Sequence, residues 1–207
     1  MIEVHTADTP NGVKIPIALE EMGAPYRLRR VDLSANEQKR PEFLKINPNG
    51  RIPAIVDPDG PGGAPVSVFE SGAVLLYLAE KFGRLIPEGP LGRVRVTEWL
   101  FFQVGGVGPM FGQAGVFRRR AEPIPFAIDR YEAESRRLVG VMERRLSEAA
   151  YLAGDSFSIA DIAHFGWLDA AETYAGVDLA ETPHVARWRE ALRAREGVRR
   201  GLAALRG

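Results

Sequence analysis

Arg51-Ile52-Pro53-Ala54-Ile55-Val56, followed across a loop by Val68-Phe69-Glu70-Ser71-Gly72-Ala73, is the stretch on which the reading of this chain turns. A short apolar run opening on proline leads through Asp57-Pro58-Asp59-Gly60-Pro61-Gly62-Gly63-Ala64-Pro65, a loop by composition. A second short run follows and ends in an acid and a serine, where a helical pattern begins. Proline removes one N–H and restricts its predecessor, so Ile52 is expected to be extended. A cis Ile52-Pro53 bond would turn the N–H and C=O of Ile52 outward, toward a peptide ligand. Glu70 and Ser71 would stand at a helix N-terminus, where orphan N–H groups and the positive dipole end attract a carboxylate. Together the two elements can build a site for a small zwitterionic peptide. A plain helix cap at Glu70-Ser71, and a proline that merely opens an edge strand, are the alternatives.

Working outward, Ile2 to His5 alternates as a short strand, and Thr6 to Gly12 is a turn-rich loop closed by Thr9-Pro10-Asn11-Gly12. Val13, Ile17, Ala18 and Met22 recur at helical spacing up to Gly23 and Pro25, both stop signals. Tyr26 to Val31 alternates as a second strand, Pro41 to Ile46 is a short helix or turn, and Pro53–Val56 and Val66–Phe69 are the third and fourth strands. The helix expected over Ser71–Phe82 carries Val74, Leu75, Leu78 and Phe82 on one face and stops at Gly83. The order β-α-β-α-β-β-α describes a small sheet whose last two strands form a hairpin, because their connection is too short for a parallel crossover. Leu85 to Gly92 has the proline and glycine content of a linker. Beyond it only helical patterns are expected, near 93–104, 125–148, 159–175, 184–194 and 198–205. The domain expectation is therefore 1–83 α/β, 84–92 linker and 93–207 all-α.

Composition narrows the function classes. With 27 Lys plus Arg against 27 Asp plus Glu, no bulk charge drives binding to nucleic acid or to a membrane surface. No apolar run approaches the length needed to span a bilayer. The start, Met1-Ile2-Glu3-Val4-His5-Thr6-Ala7-Asp8, lacks the basic and apolar segments of a signal peptide, so the cytoplasm is the expected compartment. Cysteine is absent, which excludes disulfides, thiolate metal sites and any mechanism in which the protein supplies sulfur. His5, His164 and His184 have no metal-ligand spacing, and no metal is expected. Ser158-Ile159-Ala160-Asp161 reads as a capping box, with Phe157 and Ile162 as its staple, and Asp161 is expected to be structural rather than catalytic.

Three motifs in order carry a family resemblance: Pro48-Asn49-Gly50-Arg51-Ile52-Pro53-Ala54-Ile55, Glu70-Ser71-Gly72-Ala73-Val74-Leu75-Leu76-Tyr77-Leu78 and Gly154-Asp155-Ser156-Phe157-Ser158-Ile159-Ala160-Asp161. Along nearly its whole length the chain resembles a cytosolic glutathione transferase. Thr9-Pro10-Asn11-Gly12-Val13-Lys14 and Gly105-Gly106-Val107-Gly108-Pro109-Met110-Phe111-Gly112-Gln113 make it most similar to the bacterial nu class, glutathione-dependent disulfide-bond reductases. The resemblance implies a thioredoxin-like N-terminal domain, a helical C-terminal domain, glutathione as co-substrate, and a homodimer. One stretch departs from the class pattern: Ala114-Gly115-Val116-Phe117 stand where histidines commonly follow the Gly-Gln, which puts the second-substrate preference in question.

On that resemblance Glu70 is placed for the ammonium of glutathione, Ser71 for its α-carboxylate, and the backbone of Ile52, held by Pro53, for its cysteinyl residue. Gln38 and Arg51 are candidates for the glycine carboxylate, and Arg130 is a further candidate from the helical domain. The family commonly places a tyrosine, serine or cysteine just after the first strand. This chain has no tyrosine or cysteine in that segment, its first tyrosine being Tyr26 in the second strand, so Thr9 and Asn11 before a helix are the candidates that hold the thiolate. A hydroxyl or amide donor beside a helix N-terminus lowers a thiol pKa from about 8.5 toward neutrality. Thr9 to Gly12 as a turn and cap alone is the alternative. The expected reaction is thiol–disulfide exchange in which glutathione supplies both attacking sulfurs. Conjugation of glutathione to electrophiles, a glutathione peroxidase, and a non-catalytic binding protein are the rival expectations.

Overall fold

Alternation from Ile2 to Thr6 gives a strand, β1, whose Ile2, Val4 and Thr6 point into the core. Around it β2 (Tyr26–Arg30), β3 (Ala54–Asp57) and β4 (Val66–Phe69) complete one sheet in the order β2-β1-β3-β4. β1 and β2 run parallel, joined through the crossover helix α1 (Lys14–Met22). β3 lies antiparallel to both β1 and β4, so β3 and β4 form the expected hairpin. A short 3₁₀ turn (Glu37–Lys39) and α2 (Pro41–Leu44) lead into β3, and α3 (Ser71–Phe82) follows β4. Ile15, Ile17, Leu19, Ile55, Leu75 and Leu78 are wholly buried, which identifies the faces of α1, α3 and the sheet that make the core. The structure is a computed structural model that describes residues 1–206. It is the thioredoxin-like arrangement expected of this half.

The chain divides into two units, Met1–Arg84 together with the stretch from Ala194 onward, and Leu85–Arg193. The last helix, α9 (Glu196–Arg206), therefore belongs with the first unit, whereas the sequence expectation kept 93–207 together. The reason lies in α1. Val198 and Leu205 are buried, and Arg195 grips Glu21 with two hydrogen bonds of 2.9 and 2.7 Å. Arg200 reaches Glu20 at 2.8 Å, while Arg30 on β2 donates to the Ala204 carbonyl at 3.0 Å. Residue spacing within a helix cannot announce a partner that lies so far back along the chain.

The second unit is helical: α4 (Gly89–Phe102), α5 (Gly108–Arg118), α6 (Pro125–Glu148), α7 (Ile159–Asp169) and α8 (Pro183–Arg193). Two features differ from expectation. The end of the supposed linker is already helical, because Pro90 sits in the first turn of α4, where its missing N–H costs nothing. α5 has no counterpart among the expected helices. The stretch carries glycines 105, 106, 108, 112 and 115 with Pro109 and no helix is expected over it, yet a widened helical turn at Gln103–Val107 carries α4 on into α5. The capping box at Ser158 is present as expected. Asp161, wholly buried, accepts from Leu152 N and Ser158 N at 3.0 Å and from Trp188 Nε1 at 2.9 Å. One carboxylate thus satisfies donors from the preceding loop, from its own helix start and from α8.

Candidate functional site

Three strands of the first unit finish at one end of the sheet. His5 pairs with Ala54, and Ala54 pairs with Phe69, so the next residues outward, Thr6, Pro53 and Glu70, gather there. The Ile52–Pro53 peptide is cis. The Ile52 side chain packs on Val31, Phe43 and Ala54, and strand pairing begins only at Ala54. Apolar packing thus fixes Ile52 from one side.

Glu70 caps α3 with φ 69° and ψ 115°, a left-handed φ that a glutamate adopts at a cost of ~1–3 kcal/mol unless its surroundings over-determine it. Its carbonyl accepts from Val74 N at 2.8 Å, while the side chain stays exposed at the helix start. Ser71, first residue of α3, is buried. Its Oγ accepts a hydrogen bond from Lys14 Nζ at 3.1 Å.

The loop after β1 arrives at the same place. Thr9 Oγ1 accepts from Gly12 N at 3.0 Å, the Thr9 carbonyl accepts from Val13 N at 3.1 Å, and Thr6 Oγ1 donates to the Gly12 carbonyl at 2.9 Å. A Cβ on Gly12 would run into the Ala7 carbonyl, so the loop closes this tightly only with glycine. Thr9 therefore closes a tight turn just before α1. The turn is compatible with a second use, because a hydroxyl that accepts from Gly12 still has its own proton to donate. Asn11 is half-buried in the same turn.

Lys14 is the residue that sequence reasoning missed. It closes the Thr9–Lys14 motif and is fully buried. Burial lowers its pKa to about 7, with the Glu70 carboxylate acting in the opposite direction. The signal was available: one cation in Val13-Lys14-Ile15-Pro16-Ile17-Ala18, a run that is otherwise apolar.

Gln38 and Arg51 lie in neighbouring turns. Lys39 Nζ donates to the Asn49 carbonyl at 3.3 Å, and Asn47 Nδ2 donates to the Arg51 carbonyl at 2.6 Å. Gln38 is half-buried, with its Oε1 enclosed and without a hydrogen-bond partner, and Arg51 is exposed. Arg130 is exposed on α6 in the second unit. Of the residues expected at the site, the sheet end gathers Thr9, Asn11, Ile52, Pro53, Glu70 and Ser71; Arg51 directly precedes Ile52 in the chain, and Gln38 lies in the turn before α2.

In the second unit, Ala114 and Gly115 are buried on α5 and Val116 is exposed. Any side chain on Gly115 would enter the ring of Tyr174, which also meets Trp167, edge-on at 5.9 Å, and the Arg119 guanidinium at 4.0 Å. His164 is a packed histidine, its Nδ1 2.8 Å from the Ala160 carbonyl and its ring stacked on Phe102. Among the described residues no group of three or more His, Asp or Glu is arranged to hold a metal, and no helix is long and apolar enough to cross a membrane.

An αβ unit with a cis-proline loop, an acid–serine helix start and a following helical unit defines a class of enzyme, and comparison with known proteins agrees. Residues 3–80 match the family model of the glutathione S-transferase N-terminal domain, and residues 126–196 match that of its C-terminal domain. The chain belongs to the glutathione S-transferase family of enzymes. It is 48% identical over 204 residues to the disulfide-bond oxidoreductase YfcG of Escherichia coli, covering 98% of this chain and 94% of that one. A glutathione transferase of Burkholderia graminis, solved with two glutathione molecules per subunit, superposes with a TM-score of 0.93 at 45% identity, over 98% of this chain and 88% of its own. One from Pseudomonas putida, solved with a glutathione disulfide per subunit, gives 0.90 at 40% identity, over 97% and 90%.

Proposed function

We propose that this chain is a glutathione-dependent disulfide-bond oxidoreductase. The observation that carries the reading is the convergence of Thr9, Asn11, Ile52, Glu70 and Ser71 at one sheet end in a chain with no cysteine. Glutathione would lie with its ammonium toward Glu70, its α-carboxylate at Ser71 and the start of α3, and its cysteinyl amide along Ile52. Gln38 and Arg51 would serve the glycine carboxylate. Its sulfur would then meet Thr9 and Asn11, donors that favour the thiolate.

The first thiolate attacks a substrate disulfide, forming a mixed disulfide and expelling one substrate thiolate. A second glutathione thiolate attacks the glutathione sulfur of that mixed disulfide, giving glutathione disulfide and the other substrate thiolate. Two electrons pass from two glutathiones to the substrate, and the protein supplies no sulfur. The relatives named disulfide-bond oxidoreductase, or solved with two glutathiones or with their disulfide, support this sequence of steps.

Turnover of hydroxyethyl disulfide with glutathione well above the uncatalysed rate is the expected result. Activity confined to a chlorinated nitroaromatic would replace the proposal by conjugation, and failure to bind glutathione in calorimetry would leave a non-catalytic binding protein. We also infer a cytoplasmic homodimer. Leu91, Val94 and Phe101, on α4, are 66%, 51% and 68% exposed, a large apolar presence for a free surface. Light scattering at the mass of one chain would refute the dimer.

A further inference from the structure

A lysine ammonium with no exposed surface needs a reason to be there, since burial disfavours its charge and a leucine or methionine would fill the same space. Lys14 stands at the first position of α1 with Nζ 3.1 Å from Ser71 Oγ. The geometry of that bond has a direction. An ammonium has only protons to give, so the serine oxygen accepts, and the serine proton is left to point away from Lys14. Ser71 also opens α3, whose N-terminus has no side-chain cap from Glu70, and the first N–H groups of a helix have no partner within it. A carboxylate arriving there would meet a directed hydroxyl, a helix N-terminus, and a full positive charge one hydrogen bond behind them.

We propose that Lys14 is the buried cation of the glutathione site, a positioning residue that turns the Ser71 hydroxyl toward the ligand's α-carboxylate and supplies the charge that holds it. The proposal rests on the glutathione reading above. It adds a residue beyond those that touch the ligand, and it predicts proton linkage. In the free protein burial holds the Lys14 pKa near 7, so part of the population is neutral at pH 7.5. A bound carboxylate favours the charged form, and the protein takes up a proton.

Few other groups can account for such an uptake. The Glu70 carboxylate acts on Lys14 and favours its charged form. From α9, Arg206 is turned to Asp8, while Arg195 and Arg200 are committed to Glu21 and Glu20. On β1, Thr6 is neutral and donates to Gly12, and His5 points to the opposite face against Phe43.

The test is calorimetry with S-methylglutathione, whose blocked thiol removes the sulfur's own titration, in phosphate and in Tris at pH 7.5. Net uptake of part of a proton per ligand is expected. The analogue lacking the α-carboxylate, 4-aminobutyryl-cysteinyl-glycine S-methylated in the same way, should show none. Lys14→Met should abolish the uptake and weaken S-methylglutathione by ~10-fold or more, while leaving the affinity for the analogue unchanged. Equal proton exchange for the two ligands in the wild-type protein would overturn the role of Lys14. That comparison stands even if the variant does not fold. Absence of any binding of glutathione or S-methylglutathione would overturn the glutathione reading itself, and this proposal with it.

Discussion

Replacing Lys14 by methionine gives a stability test that needs no ligand. The folded state depresses the lysine pKa from 10.5 to about 7. Between these values the unfolded chain binds more protons than the folded one, so stability rises with pH across that window. For a single group the cost of keeping Lys14 folded is about 4 kcal/mol at pH 7 and about 2 kcal/mol at pH 9. The wild-type protein should therefore gain about 2 kcal/mol from this position between the two pH values. Methionine has a similar length and no charge, so it fills the same space without that dependence. Urea unfolding of both proteins at pH 7 and pH 9, followed by circular dichroism, measures the difference. Methionine should be the more stable variant at pH 7, with the gap narrowing at pH 9. Parallel pH profiles for the two proteins, or a gap that widens with pH, would refute the reasoning about the buried ammonium.

Three further outcomes are expected. Asp161→Ala strands four buried donors, Leu152 N–H, Ser158 N–H, Ser158 Oγ–H and Trp188 Nε1–H, at ~1–3 kcal/mol each, so a fall in melting temperature of ~10 °C or more is expected; an unchanged melt would mean that the network contributes nothing. Gly115→Ala drives a methyl into the Tyr174 ring and should cost ~1–3 kcal/mol in urea unfolding, with the loss recovered when Tyr174 is also replaced by alanine. Thr9→Ala and Asn11→Ala should lower hydroxyethyl disulfide turnover more than glutathione affinity, and equal losses in kcat and in binding would show that they only hold the ligand.

The α/β half was legible because its signals are local. Alternation reports a strand that buries one face, as at Ile2–Thr6, and proline and glycine mark the ends of elements, as at Gly23 and Gly83. The capping box at Ser158 was equally plain, since its partners are three residues apart. α5 was not legible. Its glycines lower intrinsic helix propensity, and the close approach of Gly115 to the Tyr174 ring is a tertiary contact that local spacing does not announce. The placement of α9 was hidden for a related reason: its partners, Glu20 and Glu21, precede it by some 180 residues.

At the site, the sequence by itself determined the residue types: an acid and a serine to begin a helix, a proline that restricts Ile52, a threonine and an asparagine in a tight turn, and no sulfur. Each follows from the chemistry of a residue and its immediate neighbours. Only the tertiary structure decided that these segments meet. The antiparallel register of β3 with β1 and β4 brings Thr6, Pro53 and Glu70 to one end of the sheet. It also decided that Lys14 is buried against Ser71, 57 residues away. A lysine's charge is legible in one letter, but its pKa depends on what surrounds it, and those surroundings exist only once α1 and α3 have packed.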